Sequence, residues 1–505
     1  MLNNSTTICI VGLGASGQSV AAYLAKRNIP FWVVDSREHP PEIEKFKLLY
    51  ESNSLLKGLC LGKLDLDILC RPEVDILVVS PGVALSHPTI QAAKLQGKKI
   101  IGDIELFAQE VKKYCPQHKI IGITGSNGKS TVTTLVGELL TAYANASSTS
   151  NKLLNNLSKI KIIIAGNIGL PVLAALDNLI ENEPDLSQVQ IFFVLELSSF
   201  QLETTYTLKL DVACILNISA NHLDRYTGLG HYAQAKQQIY KLAKKIVYNR
   251  EDKLTYLNSL DNLDKNKISF GLDKPDNNQF GLISDNHQIF LACGSEKYVA
   301  TNQLKLMGQH NYANILAALA IIQALGIKLS ADLWPALCAF SGLPHRCEWV
   351  ANINQIQWIN DSKGTSIGAV SAAIEGLAPH VKGKIILIAG GDGKGADFSK
   401  ITPVLEKYIG AVVLIGRDAG KIAKIIPNTI SSHMAETIDK AVPMAHSLAK
   451  AGDTVLLSPI CASWDQYPSF MARGEHFKAC VHKLESPHPT PPPREREGEE
   501  NQYSQ

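Results

Sequence analysis

Short runs of Val, Ile and Leu recur along the chain, each stopping at Gly, Ser, Asn or Asp and followed by a segment of helical period. They lie at Ile8–Val11, Phe31–Val34, Ile76–Val79, Lys119–Ile123, Ile191–Leu195, Val212–Leu216, Ile385–Ala389, Ala411–Ile415 and Thr454–Leu457. A strand covered on both faces reads as a continuous apolar run instead of an alternation. These runs are therefore predicted to be buried parallel strands joined by crossover helices. The expected class is α/β, with ligands at the carboxyl ends of the strands.

The alternation falls into three blocks, expected over residues 1–101, 102–341 and 342–485. The Ser- and Asn-rich stretch Asn145–Lys161 reads as a loop insertion. Residues 252–278 are polar and read as surface loops with a short strand or two. From Ser486 the chain reads SPHPTPPPREREGEENQYSQ, Pro-rich and then charged. Such a tail has too little apolar surface to bury, and 486–505 is predicted to be disordered.

Composition narrows the class. The 505 residues suit two to four domains, and 45% hydrophobic with 19% charged residues is ordinary globular usage. Lysine and arginine number 49 against 47 acidic residues, so no global basic field draws the chain to nucleic acid or anionic lipid. The ten cysteines include no C-x-x-C pair, which argues against a disulfide scaffold or a zinc ribbon. The opening MLNNSTTICIVGLG lacks a basic leader, and no run of 18 apolar residues occurs. A soluble protein of a reducing compartment, without signal peptide or membrane insertion, is expected.

The most informative segment is KIIGITGSNGKST at Lys119–Thr131. A strand enters a Gly-rich turn, and a helix opens at Ser130. Glycines let backbone N–H groups approach phosphate oxygens, and the helix start adds its positive dipole end. Lys129 then supplies a cation for the β/γ-phosphates and Ser130 a hydroxyl for magnesium. The longer phosphate-loop pattern asks for Gly where this chain has Ile123, so the loop is the shorter G-x-x-G-K-S-T form.

A second Gly-rich turn, Gly12-Leu13-Gly14-Ala15-Ser16-Gly17, also stands between strand and helix, with Asp35 ending the next strand. This is a dinucleotide fingerprint in its proper context. Ser80-Pro81-Gly82 ends a later strand and offers a second phosphate contact. A phosphorylated ligand follows from this; its identity does not. In the middle block Glu196 ends an apolar strand, where a carboxylate beside a phosphate loop suits magnesium. Asn217 ends the next strand, and the loop after it carries His222, Asp224 and Arg225. Lys236 lies on the following helix, and its spacing alone assigns it nothing.

Taken in order, GITGSNGKST, AGNIGLP, LELSSFQLE, NHLDRY, AKQQIY, GQHNYANILAALA, GLPHR, NDSKGTS, GGDGKGADFS and LSPICASWDQY resemble the Mur ligases of peptidoglycan synthesis. The likeness spans about Ile8 to Leu484. SFQLE, GGDGK and CAS-x-DQ are closest to the branch that adds D-glutamate.

The resemblance implies three domains: an N-terminal Rossmann-like UDP-substrate domain, a central phosphate-loop ATPase domain with a mainly parallel sheet, and a C-terminal Rossmann-like amino-acid domain. It implies an ATP-dependent, amide-forming bacterial cytoplasmic ligase, a monomer, acting on UDP-N-acetylmuramoyl-L-alanine and D-glutamate. Ser16, Asp35 and Arg37 would surround uridine, Ser80 and Gly82 the diphosphate, and Asn167 the reacting end of that substrate. Ser126, Asn127, Gly128, Lys129, Ser130 and Thr131 would hold ATP, Asn311 and Asn314 the adenine, and Asp361 the ribose. Arg346 and Lys363 would bring the third block to the γ-phosphate. Ser130 and Glu196 would bind one magnesium, and His222 and Lys236 the second, with Lys236 carbamylated by carbon dioxide. Thr365, Lys394, Ser463 and Phe470 would form the D-glutamate pocket.

Trp464 replaces an expected aliphatic residue of that pocket, and the 145–161 stretch and the tail exceed the family pattern. Alternatives stay open from the residues: a sister ligase with another amino acid, a nicotinamide-dependent dehydrogenase resting on Gly12–Gly17 and Asp35, or a non-catalytic nucleotide switch.

Overall fold

The computed structural model describes residues 6–149, 159–219, 225–256, 266–306, 308–378, 381–393 and 395–485. The chain divides into two compact units, Met1–Gly342 and Leu343–Gln505.

The first unit holds two sheets. In the first sheet, strands β1 (Ile8–Val11), β2 (Phe31–Asp35), β3 (Leu56–Leu61), β4 (Ile76–Val79) and β5 (Lys99–Ile101) pair in parallel in the order β3-β2-β1-β4-β5. The order reverses between β1 and β4, which opens a crevice at their carboxyl ends. Gly12 and Ser80 stand there.

The second sheet runs β14-β13-β12-β11-β10-β9-β6-β8-β7. Its strands are β6 (His118–Thr124), β7 (Lys159–Gly166), β8 (Val189–Glu196), β9 (Leu210–Ile215), β10 (Ala243–Asn249), β11 (Asn266–Phe270), β12 (Gln279–Asp285), β13 (Gln288–Cys293) and β14 (Glu296–Ala300). It is parallel from β7 through β12 and ends in an antiparallel meander. Ile120, Ile121 and Ile123 of β6 are fully buried. Each such side chain contributes about 1.5–3 kcal/mol by leaving water. Helix Lys129–Thr149 packs on this sheet beside helix Gln309–Ala324. The second of these is apolar nearly all round, with Ile315–Ile322 all buried, as a helix enclosed by its neighbours must be.

The second unit carries β15 (Glu348–Ile353), β16 (Ile356–Asn360), β17 (Ile385–Gly390), β18 (Ile409–Ile415), β19 (Ser431–Glu436) and β20 (Thr454–Leu457), in the order β15-β16-β20-β17-β18-β19. Only β15–β16 is antiparallel. The chain is therefore α/β with three sheets, as the apolar runs imply.

One expectation is corrected. Asn145–Lys161 is not a single loop: the helix continues to Thr149, and β7 already includes Lys159–Lys161. A Ser/Asn-rich turn of helix is held by its preceding, well-packed turns against local propensity. Residues 150–158 and the tail 486–505 lie outside the described residues.

Candidate functional site

In the first unit, the phosphate loop leaves β6 at the centre of its sheet, where the strand order reverses between β9 and β8. Gly125 and Gly128 have φ of +154° and +77°. A Cβ on Gly128 would also meet Asn314 Oδ1 at 2.3 Å, so no side chain fits there. Neighbouring strand ends fasten the loop. The N–H of Asn127 donates to Asn217 Oδ1 (2.8 Å), and Asn217 Nδ2 returns a bond to the Asn127 carbonyl (3.1 Å). The N–H of Ser219 donates to Ser126 Oγ at 2.9 Å. Lys129 Nζ donates to the Ser126 carbonyl at 2.9 Å, so its ammonium folds over its own loop. Thr131 follows, partly buried in the first turn of the helix.

Glu196, the last residue of β8, joins two segments. Its Oε2 accepts from Ser130 Oγ at 2.7 Å and its Oε1 from Asn167 Nδ2 at 2.9 Å. Asn311 and Asn314 bond each other (3.3 Å) at the start of their helix, against Gly128. Lys236 is 2% exposed, and its Nζ donates to Thr124 Oγ1 at 3.3 Å. Burial, and then the charge of Lys129, hold its ammonium well below the usual lysine range against the pull of Glu196.

The other half of this unit's candidate site lies at the β1/β4 crevice. Asp35 is buried and accepts from the Leu13 N–H at 2.6 Å. Arg37 grips the same carboxylate with its Nε (2.9 Å), Nη2 (2.7 Å) and backbone N–H (2.8 Å). Burial opposes ionisation of Asp35, but these bonds prevail and hold its pKa below the usual range. Ser80 Oγ donates to the Gly12 carbonyl at 2.6 Å, which ties the turn after β1 to the end of β4. Nothing stands within 4 Å of the place a Gly82 Cβ would take. Ser16 faces Asp103, a buried carboxyl that burial pushes up against the pull of that hydroxyl.

In the second unit, Asp361, Lys363 and Thr365 follow β16. Asp361 accepts from Ser458 Oγ at 2.6 Å and from the Cys347 N–H at 3.2 Å. Burial pushes its carboxyl up to about 6, against the lowering effect of Ser458 and Arg346. Lys363 Nζ sits over the Phe470 ring, 4.1 Å from its centroid. The Asp392 and Ala462 backbones exchange two hydrogen bonds (3.0 and 2.9 Å), so the Gly-rich turn after β17 lies beside the loop carrying Ser463. Ser463 is buried, Arg346 and Thr365 are exposed, and Trp464 points outward at 67% exposure. Ile460 has φ +65°, which strains a β-branched residue at this loop.

The chain matches three family models: Mur ligase MurD-like, N-terminal domain, over residues 6–102; Mur ligase middle domain over 123–322; and Mur ligase, glutamate ligase domain over 345–461. The chain belongs to the Mur ligase family. It is 44% identical over 475 residues to the UDP-N-acetylmuramoylalanine–D-glutamate ligase of Pseudomonas aeruginosa, covering 94% of this chain and 97% of that one. A protein of the same name from Saccharophagus degradans is 44% identical over 487 residues, covering 95% and 98%. The fold is shared with the UDP-N-acetylmuramate-alanine ligase MurC of Thermotoga maritima at TM-score 0.50 and 17% identity, covering 95% and 99%. It is also shared with E. coli FolC in complex with ADP, at TM-score 0.52 and 16% identity, covering 81% and 100%.

For this Mur ligase, the structure brings Ser126–Thr131, Asn167, Glu196, Lys236, Asn311 and Asn314 around one strand-end region. It sets Asp35, Arg37, Ser80 and Gly82 at another. His222, Asp224 and Lys394 lie outside the described residues.

Thr124 and Arg473 escaped the sequence reading, and Arg225, though named in its loop, was given no role. Arg225 Nη1 and Nη2 donate to the Pro81 and Val83 carbonyls. Thr124 meets Lys236. Arg473, 1% exposed, bonds Ser362 Oγ (3.0 Å), the Ser362 carbonyl (3.0 Å) and the Cys461 carbonyl (3.1 Å). Only the Arg225 loop carried a signal, as a basic residue in a strand-end loop.

Proposed function

We propose that this chain is an ATP-dependent ligase that joins D-glutamate to UDP-N-acetylmuramoyl-L-alanine, in cytoplasmic synthesis of peptidoglycan precursors for growth and division. The observation that carries the reading is the double use of Glu196. One carboxylate ties the magnesium-type hydroxyl of the phosphate loop, Ser130, to Asn167 of the AGNIGLP loop. The triphosphate end and the acceptor carboxylate are thereby assigned to one place.

A carboxylate does not acylate an amine in neutral water, because oxide is a poor leaving group. The terminal carboxylate of the UDP substrate attacks the γ-phosphorus in line, giving ADP and an acyl phosphate. The amine of D-glutamate then attacks the acyl carbon, phosphate leaves with the bridging oxygen, and the amine gives up a proton. The protein positions the reactants and offsets their charge.

Lys129 serves the β/γ-phosphates, and Ser126–Thr131 cradle them. Asn311 and Asn314 serve adenine and Asp361 the ribose. Arg346 and Lys363 are assigned to γ-phosphate charge. Ser16, Asp35, Arg37, Ser80 and Gly82 hold the UDP moiety, and Asn167 its reacting end. Thr365, Lys394, Ser463 and Phe470 hold D-glutamate. The proposed functional domains are 1–101, 102–341 and 342–485, in a monomer.

Magnesium fits the donors: Ser130 and Glu196 offer hard oxygens, and His222 with Lys236 is assigned to a second ion. Lys236 is buried, and burial with the charge of Lys129 outweighs the pull of the Glu196 carboxylate on its amine. That favours a neutral amine, the form that takes up carbon dioxide as a carbamate. Bound magnesium supplies Lewis-acid charge neutralisation for the transferred phosphoryl group.

The test is ADP release with UDP-N-acetylmuramoyl-L-alanine across a panel of D- and L-amino acids. Turnover is expected with D-glutamate and with both partners present. Equal or greater turnover with L-alanine or diaminopimelate, or ADP release needing neither partner, overturns the assignment.

A further inference from the structure

In the second unit, helix Ile438–Leu448 packs along helix Phe470–Glu485. His476 and Cys480 are four residues apart on the latter and so share a face. Asp439 stands in the first turn of the former. His476 Nε2 lies 3.2 Å from Asp439 Oδ1, and Cys480 Sγ lies 3.7 Å from the same oxygen. All three donor atoms fall within 4.8 Å of one another, the sole group of three His, Cys or carboxylate donors so placed among the described residues.

Without a cation, an Asp–His ion pair and an S–H···O bond from Cys480 to the same Asp439 oxygen join the three groups. A divalent cation would instead bond all three donors directly. With metal–oxygen and metal–nitrogen bonds of about 2.0 Å and a metal–sulfur bond of about 2.3 Å, a tetrahedron has N···O and O···S edges of about 3.3 and 3.5 Å. The N···O and O···S distances found, 3.2 and 3.7 Å, agree to about 0.2 Å, and the His476 Nε2 to Cys480 Sγ separation falls within 4.8 Å.

The histidine is already oriented. Its Nδ1 is 2.7 Å from the Tyr467 hydroxyl. A ligating histidine commonly uses its second nitrogen to hold an outer oxygen. With Nε2 committed to a cation, Nδ1–H donates to the phenol oxygen. Cys480 is buried, while Asp439 and His476 reach the surface, which leaves a path for the ion and a place for water. Thiolate, imidazole and carboxylate together favour zinc or cobalt over magnesium.

We propose that Asp439, His476 and Cys480 form a site for a divalent cation of the zinc class, with water completing a tetrahedron. None of these residues has a role in the ligase reading. On binding, Cys480 loses its thiol proton to solvent and its sulfur bonds the metal; no electron transfer is involved. Thiolate and carboxylate then balance the dication. The ion would cross-link the two helices. Through Tyr467, whose N–H donates to the Ser463 carbonyl at 2.7 Å, it would also steady the loop carrying Ser463.

The experiment titrates the full chain with Co2+ alone, in excess Mg2+, and follows the near-ultraviolet thiolate-to-cobalt band. One equivalent developing that band and displaced by Zn2+ is expected. Cys480→Ser should lose the band, and Asp439→Asn and Tyr467→Phe should each weaken binding about tenfold or more. No thiolate band in the unmodified protein, or an undiminished band in Cys480→Ser, overturns the site. Should Cys480→Ser not fold, Asp439→Asn at its exposed position decides: unchanged cobalt affinity in that folded variant is equally fatal.

Discussion

The guanidinium of Arg225 donates to the carbonyl oxygen of Pro81 at 2.9 Å. Its other terminal nitrogen reaches the Val83 carbonyl at 2.8 Å, and its plane lies over Phe200, 4.0 Å from the ring centroid. A side chain of the central sheet's loops thus holds the Ser80-Pro81-Gly82 turn of the first sheet. Lysine has the charge but not the fork. Arg225→Lys is expected to raise KM for the UDP substrate about tenfold, with KM for ATP within about twofold of normal. Steady-state kinetics with each substrate varied in turn checks this.

Lys236 offers a sharper test of site chemistry. Burial, and then the charge of Lys129, push the pKa of its amine well below the usual lysine range. Lys236→Ala should lower turnover at least about a hundredfold, the scale for losing a positioned electrostatic group. Added short carboxylates should restore part of the loss, and gentle intact-mass measurement of the unmodified protein should show one added carbon dioxide. Absence of both the rescue and the mass increment would count against the carbamate.

Asp361 predicts a pH dependence. Its pKa stands at about 6, above its ordinary value, because burial disfavours the charge. As pH falls from 7 to 5 the carboxylate protonates, and on the proposed assignment of Asp361 to ribose KM for ATP should rise several-fold. Stability runs the other way. A carboxyl whose folded pKa is raised contributes stability that is full below its unfolded pKa and lost as pH rises through about 6. Acidification should therefore weaken ATP binding with no destabilisation arising at this position. Asp361→Asn should flatten the KM profile.

Arg473 is expected to matter for stability. Burial lowers its pKa to about 10, yet it stays charged at neutral pH and makes three hydrogen bonds to the Ser362 and Cys461 segments. Arg473→Met removes those donors from buried acceptors. It should cost at least about 3 kcal/mol in denaturant unfolding. It should also raise KM for D-glutamate more than KM for ATP, since Cys461 leads into the Ser463 loop.

The parts legible in the sequence share a physical origin. Strands buried on both faces must be apolar throughout, so Ile8–Val11 and Ile385–Ala389 could be read directly. The phosphate loop was legible because Gly128, Lys129 and Ser130 each meet a separate requirement of phosphate binding within a few residues. The meander Gln279–Ala300 was not, because each strand buries only two consecutive residues toward one end and its runs are broken by Asp285, Asn286 and His287. The helical turn through Ala146–Thr149 looked like a loop because its Ser- and Thr-rich sequence has weak helix preference, and it continues a helix whose earlier turns are buried. Arg473 was illegible for another reason: its partner Ser362 is 111 residues away, and no local spacing records that pairing.

The central claim is that triphosphate activates a carboxyl group by phosphorylating it. The most direct measurement uses UDP-N-acetylmuramoyl-L-alanine labelled with oxygen-18 in its terminal carboxylate, with ATP, magnesium and D-glutamate. One labelled oxygen per turnover should appear in the inorganic phosphate released, in step with amide formed. Amide formation with unlabelled phosphate would contradict the account.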